Sequence, residues 1–492
     1  MVATDVGRRR DAPPPVAWPW VLCAASLLLA VLVAFSARYG PHRDELYFLA
    51  AGRHLAWGYP DQPVLTPLIA HLADVVAPGS LVALHLPSAV AMAVVVVLSA
   101  LMARELGGRT GAQVLTMVAT GTGVVTVFAG HLLSTTSIDT LFWVAISYAV
   151  LWTLQRDRPR GWLVVGALAG LALEDKNLVA FLLGAIVVGI ALTPSVRHHL
   201  RSPWAWGGVA VALALWVPNL VWQALNGWPQ LTLAADIHDE YGALGERLTF
   251  VALLLVQFSP ATAAVWVYGL VRLFRRPSLV RARALAWAFV VLVAVFLLTG
   301  GKAYYVVGAV PVLIAAGACG LAERASRRWL VAAGAVLALS GMVVWPSALP
   351  ILSERAFGQS LYVDINQDQA EMIGWPALVA TVRSAVSSSG ATLAVTRNYG
   401  EAGALEWYGL DVPVYSGHNG YAAWGPPPGS GGPFVLVGYD SAPSWAVGCR
   451  VVARVDNGVD LDNEEQGGAV QVCDAPAGTW QSVWSEVTHL SA

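Results

Sequence analysis

Lysine is almost missing from this chain: Lys176 and Lys302 stand alone against 27 arginines. Heavy use of Ala, Val, Gly, Arg and Trp marks a GC-rich coding bias, which makes the two surviving lysines worth locating. Charge as a whole is scarce, at 12% of 492 residues, where a soluble domain carries about 25%. The net charge of -2 provides no strongly basic surface for nucleic acid. There are only four cysteines. Cys23 and Cys319 fall in apolar runs and read as inert packing residues. Cys449 and Cys473 lie near the C-terminus, where a disulfide between them requires a compartment outside the cytosol. His42, His54 and His131 lack the spacing of metal ligands, so no metal site is assigned.

Long apolar runs fill residues 17–346. A membrane-spanning helix needs roughly 20 apolar residues. Candidate spans lie at about 17–37, 79–103, 111–130, 137–155, 161–173, 177–193, 204–223, 248–271, 284–300, 303–322 and 329–348, about eleven in all, with the fifth and sixth short. The first follows Arg8, Arg9 and Arg10 and lacks a clear cleavage site, so it reads as an uncleaved anchor. Cytoplasmic loops carry excess Lys and Arg. With the N-terminal tail (1–16) inside, the inner loops collect 18 of the 29 basic residues, and the outer loops before residue 350 hold six: Arg38, Arg43, Arg53, Lys176, Arg247 and Lys302. Carboxylates divide the other way, with Asp44, Glu45, Asp61, Asp139, Glu174, Asp175, Asp236, Asp239 and Glu240 at or near the outer face. An odd number of spans then places residues 349–492 outside. That tail reads as a small α/β domain: a helix in LVATVRSAVSS, and strands in ATLAVT, PFVLVGY, RVVARV and AVQVCD.

The stretch RYGPHRDELYFLAAGRHLAWGYPDQPVLTP (38–67) sets Asp44 and Glu45 directly after the first span. A short amphipathic helix over about 43–56 offers Leu46, Phe48, Leu49 and Leu55 to the bilayer, and Trp57 and Tyr59 suit its interface. The DE pair and GYPDQP resemble the lipid-linked glycosyltransferases of the GT-C fold, in particular bacterial relatives of the dolichyl-phosphate-mannose protein mannosyltransferases, glycosyltransferase family 39. TTSIDTLFW (135–143), GLALEDKNLVAFLL (170–183), PNLVWQALNGWP (218–229) and GKAYYVVGAVPVLIAAGA (301–318) are similar to family segments in the same order. GWPALVATV, NYGEAGALEWYG and SGHNGYAAWGPP resemble the tail of the bacterial members. The resemblance covers about residues 40–440. It departs from the aminoarabinose transferases, which carry arginine where this chain has Tyr47 and Glu-Lys-Pro where it has Asp61-Gln62-Pro63.

The resemblance implies a mainly helical polytopic bundle (17–348) with a catalytic site at the extracytoplasmic face. It implies transfer of a sugar, a mannose-like hexose, from a polyprenyl-phosphate donor to an acceptor hydroxyl on a protein or on an envelope glycan or lipid. A phosphate leaving group needs charge stabilisation more than a general acid, whereas the acceptor hydroxyl needs a base. One carboxylate and a few cations suffice, unlike the paired carboxylates of most glycoside hydrolases. By resemblance, Asp44 is the base. Asp61 is a second acid that orients the acceptor or holds an optional divalent cation; no other cofactor is expected. Glu45 and Asp139 join the substrate-binding set. Lys176, Lys302, Arg43 and Arg53 face phosphate, and Tyr304 and Tyr305 lie along sugar or lipid. Bland readings stand beside these: Asp139 as a helix cap, Lys302 snorkelling at a helix end, the tyrosines as interfacial belt. Two other classes compete. A secondary transporter would show internal repeats and mid-span acids, neither of which is visible. A non-catalytic scaffold would make Asp44 dispensable.

Overall fold

The computed structural model describes residues 13–241, 244–429 and 431–491; the side chains of 236–244, Asp236, Asp239 and Glu240 among them, lie outside the described set, as do Arg8, Arg9 and Arg10. The fold is a helical membrane bundle followed by a small α/β unit, as expected. The bundle comprises α1 (Trp18–Phe35), α2 (Arg43–Arg53), α3 (Leu65–Val76), α4 (Leu81–Glu105), α5 (Thr110–Gly121), α6 (Val124–His131), α7 (Thr135–Arg156), α8 (Gly161–Leu173), α9 (Val179–Ala191), α10 (Pro203–Leu225), α11 (Pro229–Tyr241), α12 (Leu244–Val256), α13 (Pro260–Arg275), α14 (Arg283–Thr299), a 3-10 turn at Ala303–Ala309, α15 (Pro311–Ala322) and α16 (Arg327–Met342).

Among the described residues, five single helices are long and apolar enough to cross a bilayer, or eight crossings if three bent pairs each count as one. The pairs α5/α6, α12/α13 and the 3-10 turn with α15 bend by 60°, 92° and 55°. Pro260 and Pro311 sit at two of these breaks, where a missing N–H and a ring clash stop the preceding helix. The other three expected spans are α8, α9 and α14, of 13, 13 and 17 residues. At 1.5 Å per residue they reach only about 20 to 26 Å, short of the roughly 30 Å hydrocarbon core. The count of eleven therefore exceeds the helices that can cross unaided.

Helices α1, α10 and α16 present exposed Leu, Val and Trp outward, the face a lipid solvent requires. Inside, small residues let backbones meet. A Cβ at Gly269 on α13 would lie 1.9 Å from the Leu313 carbonyl oxygen of α15, and one at Gly317 would lie 2.0 Å from that of Val265, the small-residue packing typical of membrane helices. Cys319 is buried in this core, but Cys23 lies on the exposed side of α1, so only the first of the two packs as expected.

The tail contributes α17 (Glu354–Gly358), α18 (Tyr362–Ile365), α19 (Trp375–Ser389), α20 (Tyr399–Trp407), α21 (Gly420–Ala423) and α22 (Trp480–Val487). Its strands β1 (Ala394–Thr396), β2 (Val414–Ser416), β3 (Phe434–Val437), β5 (Arg450–Arg454) and β6 (Ala469–Cys473) form one sheet in the order β2-β1-β3-β6-β5; β4 (Ala446–Val447) pairs with β7 (Ala475–Pro476). β1 runs parallel to β2 and β3, and the rest is antiparallel. Cys449 and Cys473 form the disulfide the sequence pointed to.

Candidate active site

The segment after α1 is clasped by the tail. Gly40 N–H donates to the Met372 carbonyl (3.1 Å), and Trp375 Nε1 donates to the Pro41 carbonyl (3.0 Å). α2 then runs under α20. A Cβ at Gly400 would meet Arg43 Cβ at 2.8 Å, and one at Gly403 would meet Leu46 Cβ at 2.7 Å. The two glycines, three apart, share one face of α20 and let the helices touch. Leu46 is buried with Trp375, Leu378 and Leu405. The GWPAL, NYGEAG and SGHNGY stretches thus all serve one purpose, seating the loop that carries the acids. α2 does not lie on the bilayer: Leu46, Phe48 and Leu49 are buried by protein, and only Leu55 and Trp57 stay exposed.

Two carboxylates of the first loop are each held by a tyrosine. The Tyr399 hydroxyl donates to Asp44 Oδ1 at 2.8 Å. The Tyr47 hydroxyl donates to Asp61 Oδ1 at 2.7 Å and accepts from Gly420 N–H at 3.1 Å. The two tyrosine rings stack, with centroids 4.8 Å apart. Burial pushes the Asp44 carboxyl up, but His42, Arg43, the Tyr399 bond and Lys302 outweigh it and hold the group below the usual carboxylate range. Asp61 goes the other way. Burial lifts it to about 7, with the Asp44 charge adding to the rise and the Tyr47 bond opposing it. The two environments thus leave Asp44 ionised and set Asp61 to titrate near neutrality.

Near Asp44 lies a cationic and aromatic group. Lys176 Nζ lies 5.4 and 5.5 Å from the Tyr304 and Tyr305 ring centroids and 3.4 Å from Thr136 Oγ1. The charges that act on it are those of Asp139, Asp175, Lys302 and Asp44. Asp139 is 6% exposed and its Oδ1 has no hydrogen-bond partner. It does not cap α7: the Ser134 side chain does, accepting from Ser137 N–H. Lys302 and Tyr304 line a cavity of about 550 Å³ that continues between α6, α12 and the start of the 3-10 turn, past Arg247, Phe128, Phe250 and Leu297. The structure thus brings Asp44, Asp61, Asp139, Lys176, Lys302, Tyr304 and Tyr305 to one end of the bundle, with Arg43 at its edge.

Two expected residues are elsewhere. Glu45 is fully buried and accepts from His42 N–H (2.8 Å) and Leu133 N–H (2.6 Å), with His85 Nε2 at 3.1 Å. With its oxygens so occupied it fastens α2 to α4 and to the start of α7, and has no face toward a substrate. Arg53, ten residues along α2 and about 15 Å from Arg43, pairs with Glu406 at 3.3 Å on the tail. Arg43 also turns to the tail, to Glu464, while its Nε stays 3.9 Å from Asp44 Oδ1. Tyr47 and Tyr399 were not singled out by the sequence reading. The signal for Tyr47 was present, since it stands where related enzymes carry arginine. Two groups of described residues bring three ligand atoms together, Asp157–His198–His199 and Glu371–Glu464–Glu465; neither contains Asp61.

Residues 61–222 match the profile of the family described as dolichyl-phosphate-mannose-protein mannosyltransferase. No curated protein sequence matches the chain. Among solved structures, ArnT from Cupriavidus metallidurans bound to undecaprenyl phosphate aligns over 93% of this chain and 98% of its own, at 15% identity and a TM-score of 0.60. The same enzyme in the apo state gives 0.61 over the same shares, also at 15% identity. An Archaeoglobus fulgidus oligosaccharyltransferase tethered to an acceptor peptide gives 0.50 at 13% identity, over 80% of this chain and 63% of its own. Residues 61–222 thus carry a segment similar to the dolichyl-phosphate-mannose-protein mannosyltransferases, and nearly the whole chain shares the multi-span fold of ArnT.

Proposed function

We propose that the protein transfers a hexose, mannose-like, from a polyprenyl-phosphate carrier to an acceptor hydroxyl at the extracytoplasmic face, by a single inverting displacement. The observation that carries this reading is a tyrosine-held carboxylate, Asp44, within electrostatic reach of two lysines, one of which, Lys302, lines a largely apolar cavity. A phosphate head with a hydrocarbon tail has the same two-part character.

The acceptor oxygen attacks the anomeric carbon while the bond from that carbon to the phosphate oxygen breaks. Asp44, kept ionised by its surroundings, takes the hydroxyl proton. Lys302 and Lys176 hold the charge that gathers on the departing phosphate, as compact point charges. Asp61 orients the acceptor, and Tyr304 and Tyr305 flank the sugar.

Purified protein in liposomes, supplied with a polyprenyl-phosphate hexose, tests the assignment. Asp44→Asn is expected to lose turnover with donor binding intact, and Lys302→Ala to raise the donor KM. Near-normal turnover in Asp44→Asn would overturn the base. The side of the membrane is tested separately, by a reporter fused after Ala492. It turns on α8, α9 and α14, because the number of these three short helices that cross sets the parity of the spans. Activity of an export-dependent reporter supports the outer site, and a cytoplasmic signal overturns it.

A further inference from the structure

The loop between β5 and β6 delivers Glu464 and Glu465 to Glu371, which lies on the 3-10 turn Gln367–Met372 ahead of α19. One carboxylate oxygen from each lies within 4.8 Å of the others. Such a cluster alone is unremarkable, because acids often gather at a surface. Glu465 makes this one different. It is 6% exposed, and neither of its carboxylate oxygens has a hydrogen-bond partner. Glu371 Oε2 is likewise buried and unpartnered. A buried carboxylate left without partners is unfavourable, and Arg43, bound to Glu464, sets one guanidinium against three acids. Burial pushes both Glu371 and Glu465 up, and Arg43 only partly offsets this.

We propose that Glu371, Glu464 and Glu465 bind a calcium ion. The ligand set is all carboxylate oxygen, which selects a hard cation over zinc or copper. Ca²⁺ accepts six to eight oxygens at 2.3–2.6 Å, and monodentate or bidentate carboxylates with water fill that shell. Oxygens up to 4.8 Å apart can share one such ion, since two on opposite sides of it stand about 5 Å apart. Asn463 holds the loop in place: its Nδ2 donates to the carbonyls of Ala370 and Ile373, at 3.3 and 3.0 Å. The ion would pin the β5–β6 loop to the turn that holds Gly40. It would also relieve Arg43 of part of its charge burden, one residue from Asp44.

The test uses the full chain in detergent, stripped with EGTA, and reads thermal midpoint and calorimetric binding as CaCl₂ or MgCl₂ is added. Neither readout needs transferase activity, so failure here is distinct from failure of the proposed reaction. Calcium is expected to raise the midpoint in a saturable way and more than magnesium does. Glu465→Gln should abolish the shift. Glu464→Gln, on the half-exposed rim, keeps the fold and should weaken calcium binding about tenfold by removing one charged ligand. No midpoint shift and no binding heat in the wild-type protein would overturn the site and leave shared protons as the cluster's neutraliser. An undiminished response in both variants would overturn it equally.

Discussion

The two ends of the bundle treat carboxylates in opposite ways. At the arginine-rich end every described acid has cationic partners. Glu105 meets Arg104 and Arg156, each at 2.8 Å; Glu323 meets Arg272 and Arg276; Asp157 meets Arg281, His198 and His199. At the other end Asp139, Glu174, Asp175, Glu371 and Glu465 each keep at least one buried oxygen with no hydrogen-bond partner. Asp44 and Asp61 there are held by neutral tyrosine hydroxyls. Paired charges at the first end close the structure. Acids left without partners at the second are open to completion by a proton, an ion or a substrate.

Substitutions that treat the two ends alike sharpen this contrast. The largest difference is expected between Asp44→Asn and Glu105→Gln. The first should cut turnover by about 10²–10⁴, and the second should lower stability with turnover per folded molecule unchanged; equal losses of turnover would erase the distinction. Glu45→Gln comes next, because it lies at the functional end but is wired like the structural one. It should cost about 2–3 kcal/mol of stability, read as a lower thermal midpoint, with the folded fraction still active. Tyr47→Phe should have a smaller effect with a clear sign. Asp61 must shed a proton to work as an anion, so activity rises as pH climbs through about 7. Removing the tyrosine bond, which favours the ionised form, should move that limb to higher pH in a rate profile. A downward shift would reverse the assignment. Glu323→Gln should change least. Glu323 is 47% exposed but Arg272 is buried, and glutamine keeps an acceptor for that arginine while losing the charge, so the midpoint should fall by less than in Glu45→Gln.

The sequence made the fold class, the arginine asymmetry and the first-loop acids legible, because apolar period and charge placement are local signals. The tail strands at 394–396, 434–437, 450–454 and 469–473 were legible for the same reason. All eleven apolar runs are helical, but hydropathy did not show that three of them, α8, α9 and α14, are only 13, 13 and 17 residues long. Nor was the division between Asp44 and Glu45 legible. They are adjacent and alike in sequence, and only the contacts of Glu45 with His85 and Leu133 show which one turns inward. The roles of Tyr399 and Gly403 were out of reach because their partners lie more than 350 residues earlier.

That separation bears on biosynthesis. Asp44 emerges from the ribosome early, and the hydroxyl that holds it belongs to Tyr399, 355 residues later. Contacts this distant in sequence form late, after the intervening chain has been inserted and the tail has folded. A nascent or prematurely terminated chain therefore carries the acid without its clasp. The contacts that hold this acid cannot form on a partly made molecule, and the last third of the chain is needed to finish the environment of a helix made near its start.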